Sequence, residues 1–188
     1  MENVAMQKRE VSAKKGMQAV DVVLVGILLA AGAVLRLYAP QVFGITPNFV
    51  IGMYCLAIIL IRPKFLEAVG ISLVAAAVCH FTTKSLIPYI NFLSEPVGLL
   101  VAYGLTMLPF KPSVKKFSLK PALVTFIGTL ASGLTYITTL KFLILFVEVK
   151  KNPTFTYLLT VVIVTAVVNT IIAQVLYYPI KTALGKKD

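Results

Sequence analysis

A chain of 188 residues with 59% hydrophobic and 13% charged residues and a mean hydropathy of +0.91 falls outside the range of soluble globular domains. It is long enough for one compact helical bundle and too short for two. The formal charge of +11 does not point to nucleic acid, because the basic residues sit in short clusters between apolar segments. Cys55 and Cys79 lie far apart in apolar runs, with no CxxC or Cys/His spacing, and read as packing residues rather than a disulfide or metal site.

From the N-terminus, a basic stretch from Lys8 to Lys15 precedes apolar sequence from Val20 to Ala39. That run is longer than the core of a signal peptide, so it reads as a retained first span behind a cytosolic tail. Six apolar segments follow one another, roughly 20–38, 47–61, 65–83, 94–110, 119–147 and 154–180. A membrane span needs about 20 apolar residues; the second and fourth segments are short. The expected architecture is an all-α membrane protein, a six-helix transmembrane bundle over 20–181 between cytosolic tails 1–19 and 182–188.

Orientation follows from the basic residues. With the N-terminus inside, the inner segments hold Lys8, Arg9, Lys14, Lys15, Arg62, Lys64, Lys111, Lys115, Lys116, Lys120, Lys181, Lys186 and Lys187, or 13 of the 18 Lys and Arg residues. The other five are Arg36, Lys84, Lys141, Lys150 and Lys151. This asymmetry places both termini inside. Proline marks the boundaries: Arg62-Pro63 ends the second segment, Pro88 and Pro96 bound the third connection, and Lys120-Pro121 opens the fifth. Tyr38, Tyr89, Tyr157, Tyr177 and Tyr178 fall near segment ends, as an interfacial aromatic belt requires.

No GxxxxGK[ST], HExxH or GxSxG pattern is present, which leaves little for enzyme chemistry and no cofactor motif. The middle of every span lacks a carboxylate, which argues against a stand-alone ion-coupled carrier and for energy supplied by partner subunits. Cys79 to Pro96 carries the only histidine, a lysine, an asparagine and a glutamate between two apolar flanks. Polar residues at a bilayer margin are costly unless used, so this stretch reads as the lid and pocket of a solute site. The candidate binding residues at the outer end are Arg36, Asn48, His80, Lys84, Tyr89, Asn91 and Glu95, with Lys141 and Glu148 in the same polar set and Asn169 deeper in the sixth span. A guanidinium at Arg36 matches a carboxylate. Glu95 either complements a helix dipole or receives an ammonium group. His80 reads as a packing residue or a ligand contact, and Asn169 as an interhelical clasp or a pocket residue. Charges of both signs beside Phe43, Phe49, Tyr54, Phe81, Tyr89 and Phe92 suit a zwitterion with an aromatic side chain. The chain itself contains no tryptophan, as suits a protein made when tryptophan is scarce. In the first span Gly26, Ala30 and Ala33 form a small-residue stripe, either a docking face for a partner helix or a close contact within the bundle.

Six spans, a short second helix, small residues in the first helix and a basic inner face resemble the substrate-binding S components of energy-coupling factor (ECF) transporters. Gly44-Ile45-Thr46-Pro47-Asn48, and Phe81 to Pro96 ending in Ser94-Glu95-Pro96, are similar to the bacterial tryptophan transport protein family. The resemblance implies a pocket roofed by the 1–2, 3–4 and 5–6 connections, a transmembrane T subunit and two cytosolic ATPases. It implies docking through AxxxA-type motifs in the first helix, matched here by Gly26-x-x-x-Ala30 with Val34 in place of a further alanine. It also implies an acidic residue where this chain has Asn48, which would either move the ammonium contact to Glu95 or go with a different ligand. The remaining alternatives are an S component for a pyridoxine- or riboflavin-like vitamin, and a structural or assembly membrane protein without a pocket.

Overall fold

The structure is a computed structural model that describes residues 16–41, 45–110, 112–114, 117–146 and 152–186. The basic tail from Lys8 to Lys15 lies outside the described residues, as do Phe43, Gly44, Lys111, Lys115, Lys116, Glu148, Lys150, Lys151, Lys187 and Asp188. Six α-helices are described: α1 (Ala19–Tyr38), α2 (Val50–Ile61), α3 (Phe65–Thr82), α4 (Asn91–Met107), α5 (Lys120–Ile144) and α6 (Phe155–Ala183). A 3-10 turn over Pro88–Ile90 leads directly into α4, and a two-residue antiparallel ribbon, β1 (Ser113–Val114) with β2 (Phe117–Ser118), joins α4 to α5.

At the centre is α2. It has no polar side chain beyond Tyr54 and Cys55, and every residue from Val50 to Leu60 is buried. A helix that is apolar on all sides is stable only when surrounded, and α2 contacts each of the other five helices. It is also the shortest, at 12 residues, whereas the other five, counting the 3-10 turn with α4, are long and apolar enough to cross a membrane. Gly32 of α1 sets the level at which α2 begins: a Cβ on Gly32 would lie 2.7 Å from the Val50 Cα. Beyond that contact α1 runs on for six residues to Tyr38, about 9 Å at 1.5 Å per residue. The long helices therefore project past α2 at one end, and the space above its N-terminus is closed by connections rather than by helix.

Contacts between helix ends define the two ends of the bundle. At the cavity end the Lys84 ammonium donates to the Leu37 carbonyl and the Lys84 N–H to Thr46 Oγ1. The Lys84 carbonyl accepts from Gln41, and Lys141 reaches Asn152. At the opposite end the Lys186 ammonium donates to the Leu60 carbonyl (2.7 Å) and Lys120 to the Thr106 and Leu108 carbonyls (2.8 and 2.9 Å). These two lysines cap the last turns of α2 and α4, where carbonyls lack helical partners. Glu67 holds the start of α3, accepting from the Lys64 N–H and from the Met17 N–H that leads into α1.

Two expectations need correction. Pro96 does not bound the third connection but lies inside α4, so that helix starts at Asn91 rather than near residue 94. With the 3-10 turn it reaches 20 residues, Pro88–Met107, and is not short. Pro96 is the sixth residue of α4, past the first four whose N–H groups have no helical partner, so it leaves the Phe92 carbonyl without its helical donor. The ribbon between α4 and α5 is a small departure from an all-helical chain; α6 holds it, with Tyr178 accepting from the Ser118 N–H and Gln174 donating to the Ser118 carbonyl.

The small-residue stripe of α1 divides. Gly32 is buried against α2, Ala33 is half-buried, and Gly26 and Ala30 are exposed, with open space where a Gly26 Cβ would stand. Gly32→Ala should accordingly destabilise the protein by about 1–3 kcal/mol through overpacking, while Gly26→Ala should leave thermal unfolding in detergent unchanged or slightly raised. Equal behaviour of the two variants would contradict the placement of α2.

Candidate functional site

Above α2 lies a cavity of about 430 Å³ when the open space at its mouth is counted. Each wall comes from a different element. Arg36 enters from the last turn of α1, Thr46 and Asn48 from the α1–α2 connection, Ser85 from the α3–α4 connection, and Asn91 and Glu95 from the start of α4. The far wall is aliphatic, with Ile51 of α2, Ile137 of α5 and Val161 and Val162 of α6, broken by the hydroxyls of Thr129, Tyr136 and Thr165.

Two buried charged residues dominate this space. Arg36 is 2% exposed and Glu95 1%. Among the described residues the Arg36 guanidinium makes one long hydrogen bond, Nη2 to Asn91 Oδ1 at 3.4 Å, and its Nε and Nη1 have no hydrogen-bond partner. Asn91 is itself held by donation from Nδ2 to the Pro88 carbonyl at 2.6 Å. Glu95 Oε1 accepts from Asn48 Nδ2 at 2.7 Å, and Oε2 from Ser132 Oγ at 3.4 Å. Neither carboxylate oxygen reaches Arg36, so each charge is held by a neutral amide. Burying a charge without an opposite partner is costly.

Asn48 is fixed from both sides. Its Oδ1 accepts from the Val50 N–H at 3.2 Å, covering one free donor at the start of α2. Its backbone carbonyl accepts from Asn169 Nδ2 at 2.9 Å, and Asn169 also donates to Thr129 Oγ1 at 3.3 Å. Asn169 is fully buried and presses on α2 where a Cβ on Gly52 would meet it at 3.2 Å. It does not line the cavity; it ties α6 to α5 and to the α1–α2 connection.

Of the residues singled out from sequence, Arg36, Asn48, Asn91 and Glu95 come together in the cavity wall, while His80, Lys84, Tyr89 and Asn169 lie outside it. His80 belongs to an aromatic cluster at the end of α3, with its ring 5.1 Å from Phe81, 4.7 Å from Tyr89 and 5.4 Å from Phe92. Phe81 and Tyr89 are 82% and 73% exposed, so this cluster faces outward. Lys84 pins the connections together through the bonds given above. Tyr54 is fully buried beneath the cavity, and Tyr136 is the aromatic residue that lines it. Sequence reading missed Tyr136, Thr129, Thr165 and Gly133. Hydroxyls in mid-helix give no signal, because threonine readily satisfies its proton on the carbonyl four residues back, as Thr165 does on Val161.

A multi-pass helical bundle with a half-aliphatic cavity, lined by a buried arginine and a buried glutamate that form no direct ion pair, belongs to the class of membrane proteins that hold a small solute. The chain matches the family model described as Tryptophan transporter TrpP over residues 18–185, and it belongs to that family. Comparisons with curated proteins and with solved structures found no match.

The Asn169 clasp is testable apart from any ligand. Asn169→Ala should lower unfolding stability in detergent by about 0.5–1.5 kcal/mol, as interhelical hydrogen bonds in membranes do. A double-mutant cycle with Thr129→Ala should show coupling; strict additivity would remove the bond from the account.

Proposed function

We propose that this chain is the substrate-binding S component of an ECF-type importer, which captures tryptophan at the extracellular end of a six-helix bundle with both termini in the cytosol. The observation that carries the reading is the pair of buried, unmatched charges. A zwitterion supplies a carboxylate for Arg36 Nε and Nη1, which have no hydrogen-bond partner among the described residues, and an ammonium group for Glu95, whose oxygens accept from the neutral donors Asn48 and Ser132. The bidentate geometry of guanidinium suits the first contact. The side chain of the solute then meets Ile51, Ile137, Val161 and Val162, with Tyr136 beside them. This favours a large apolar amino acid over a vitamin without paired charges. The hydrogen bond between Asn48 and Glu95 puts the two in one corner, so a carboxylate from either position would serve the same ammonium.

In this reading the chain performs no chemistry on its solute, and power comes from a T subunit and two ATPases. Gly26 and Ala30, exposed and unpacked within the bundle, offer the close-approach surface for a T-subunit helix. The clustering of Arg62, Lys64, Lys120, Lys181 and Lys186 at helix ends away from the cavity supports a cytosolic position for that end.

Equilibrium binding to the purified chain tests the charge assignment. Tryptophan should bind, while pyridoxine and riboflavin should neither bind nor compete. Arg36→Ala should weaken tryptophan by at least about a hundredfold yet leave tryptamine, which lacks the carboxylate, almost unaffected. Glu95→Gln should do the reverse, costing tryptophan affinity while sparing indole-3-propionate. Equal losses for both analogues in both variants would refute the assignment. In proteoliposomes the chain alone should bind without concentrating tryptophan, and uptake should require ATP with the three partner subunits. Accumulation by the chain alone would sink the ECF reading.

A further inference from the structure

The hydroxyls of the cavity wall are not equivalent in what they can offer a ligand. Ser85 Oγ accepts from the Thr46 N–H at 3.0 Å, Thr46 Oγ1 from the Lys84 N–H at 3.2 Å, and Thr129 Oγ1 from Asn169 at 3.3 Å. Among the described residues no hydrogen bond uses the protons of Thr46 and Thr129. Tyr136 donates to the Ile87 carbonyl at 3.2 Å, at the connection side of the cavity, and lies beside Ser85. With its proton committed, Tyr136 is an acceptor at the connections, and Thr165 is the acceptor of the α6 wall. It is 5% exposed and sits on the α6 wall between aliphatic neighbours, its Oγ1 donates to the Val161 carbonyl at 2.7 Å, and no other bond among the described residues engages that oxygen.

We infer that Thr165 reads the ring N–H of the solute and so selects indole over other bicyclic aromatic side chains. The inference rests on the tryptophan reading above and deepens it. A hydroxyl whose proton is committed to its own helix can only accept, so the complementary ligand group in this otherwise apolar wall is a single donor. A fused aromatic ring with one N–H among carbon atoms has that pattern, whereas a benzene, naphthalene or benzothiophene ring lacks it. Shape alone discriminates weakly between rings of equal size, and a buried donor left without an acceptor carries a real penalty. Thr165 is therefore a specificity residue of the aliphatic wall, separate from the charged corner formed by Arg36 and Glu95.

The test compares L-tryptophan with its benzothiophene analogue, in which sulfur replaces the ring N–H, by equilibrium binding to the purified full chain in detergent. The wild-type protein should prefer tryptophan by roughly tenfold. Thr165→Val, close in shape, should lose that preference by weakening tryptophan roughly tenfold while leaving the analogue unchanged, which also shows that the variant is folded. Thr165→Ser, which keeps the hydroxyl, should retain the preference. Equal wild-type affinity for the two ligands overturns the inference whatever the variants do, and so does a Thr165→Val protein that keeps the wild-type ratio. Failure of the wild-type chain to bind either ligand instead overturns the tryptophan reading beneath it.

Discussion

Burial of α2 on every side is the constraint from which the rest of the structure follows. Twelve residues of helix span about 18 Å, well short of the roughly 30 Å hydrocarbon core that the surrounding helices are built to cross. The Gly32–Val50 contact fixes where α2 starts, so the shortfall gathers at one end. What fills it is irregular chain, and irregular chain at this depth is tolerated only where it is enclosed by protein or lines a cavity. The α1–α2 connection meets this condition at Thr46, whose N–H donates to Ser85 Oγ, and at Asn48, whose carbonyl accepts from Asn169 Nδ2.

The two charges in the cavity make sense within the same frame. An arginine and a glutamate so close in the fold would lower their energy by pairing with each other, and a site closed in that way would need no guest. Here Asn91 accepts from the arginine and Asn48 donates to the glutamate. Neutral amides can orient an ion without neutralising it, so much of the cost of burial is left for a ligand to offset. Asn169 extends the arrangement backward, anchoring Asn48 to α5 and α6. Asn48, though it stands on a connection, is thereby tied to both long C-terminal helices.

Much of this was legible in the residues. Membrane helices must satisfy their backbone internally and present apolar side chains to lipid, so hydropathy, length and proline placement located all six helices, apart from the start of α4. Arg36, Asn48, Asn91 and Glu95 could be singled out because polar groups near span ends are rare and costly. His80, Lys84 and Tyr89 met the same test but belong elsewhere: Tyr89 joins His80 in the outward-facing aromatic cluster, and Lys84 pins connections. The aromatic lining inferred from Phe81, Tyr89 and Phe92 gave way to an aliphatic wall for the same reason.

By itself, then, the sequence determined a membrane bundle, the order and approximate ends of its helices, and a polar end set apart from a basic one. These properties depend on solvent transfer and local backbone geometry, which each segment carries alone. Which polar residues share one cavity, that α2 is the enclosed helix, and that Thr165 and Tyr136 stand in the wall were decided only by tertiary packing. The facing of a side chain depends on helix rotation, and rotation is set by close contacts such as Gly32 on Val50, Gly52 on Asn169 and Gly133 on Val162, between residues far apart in the chain.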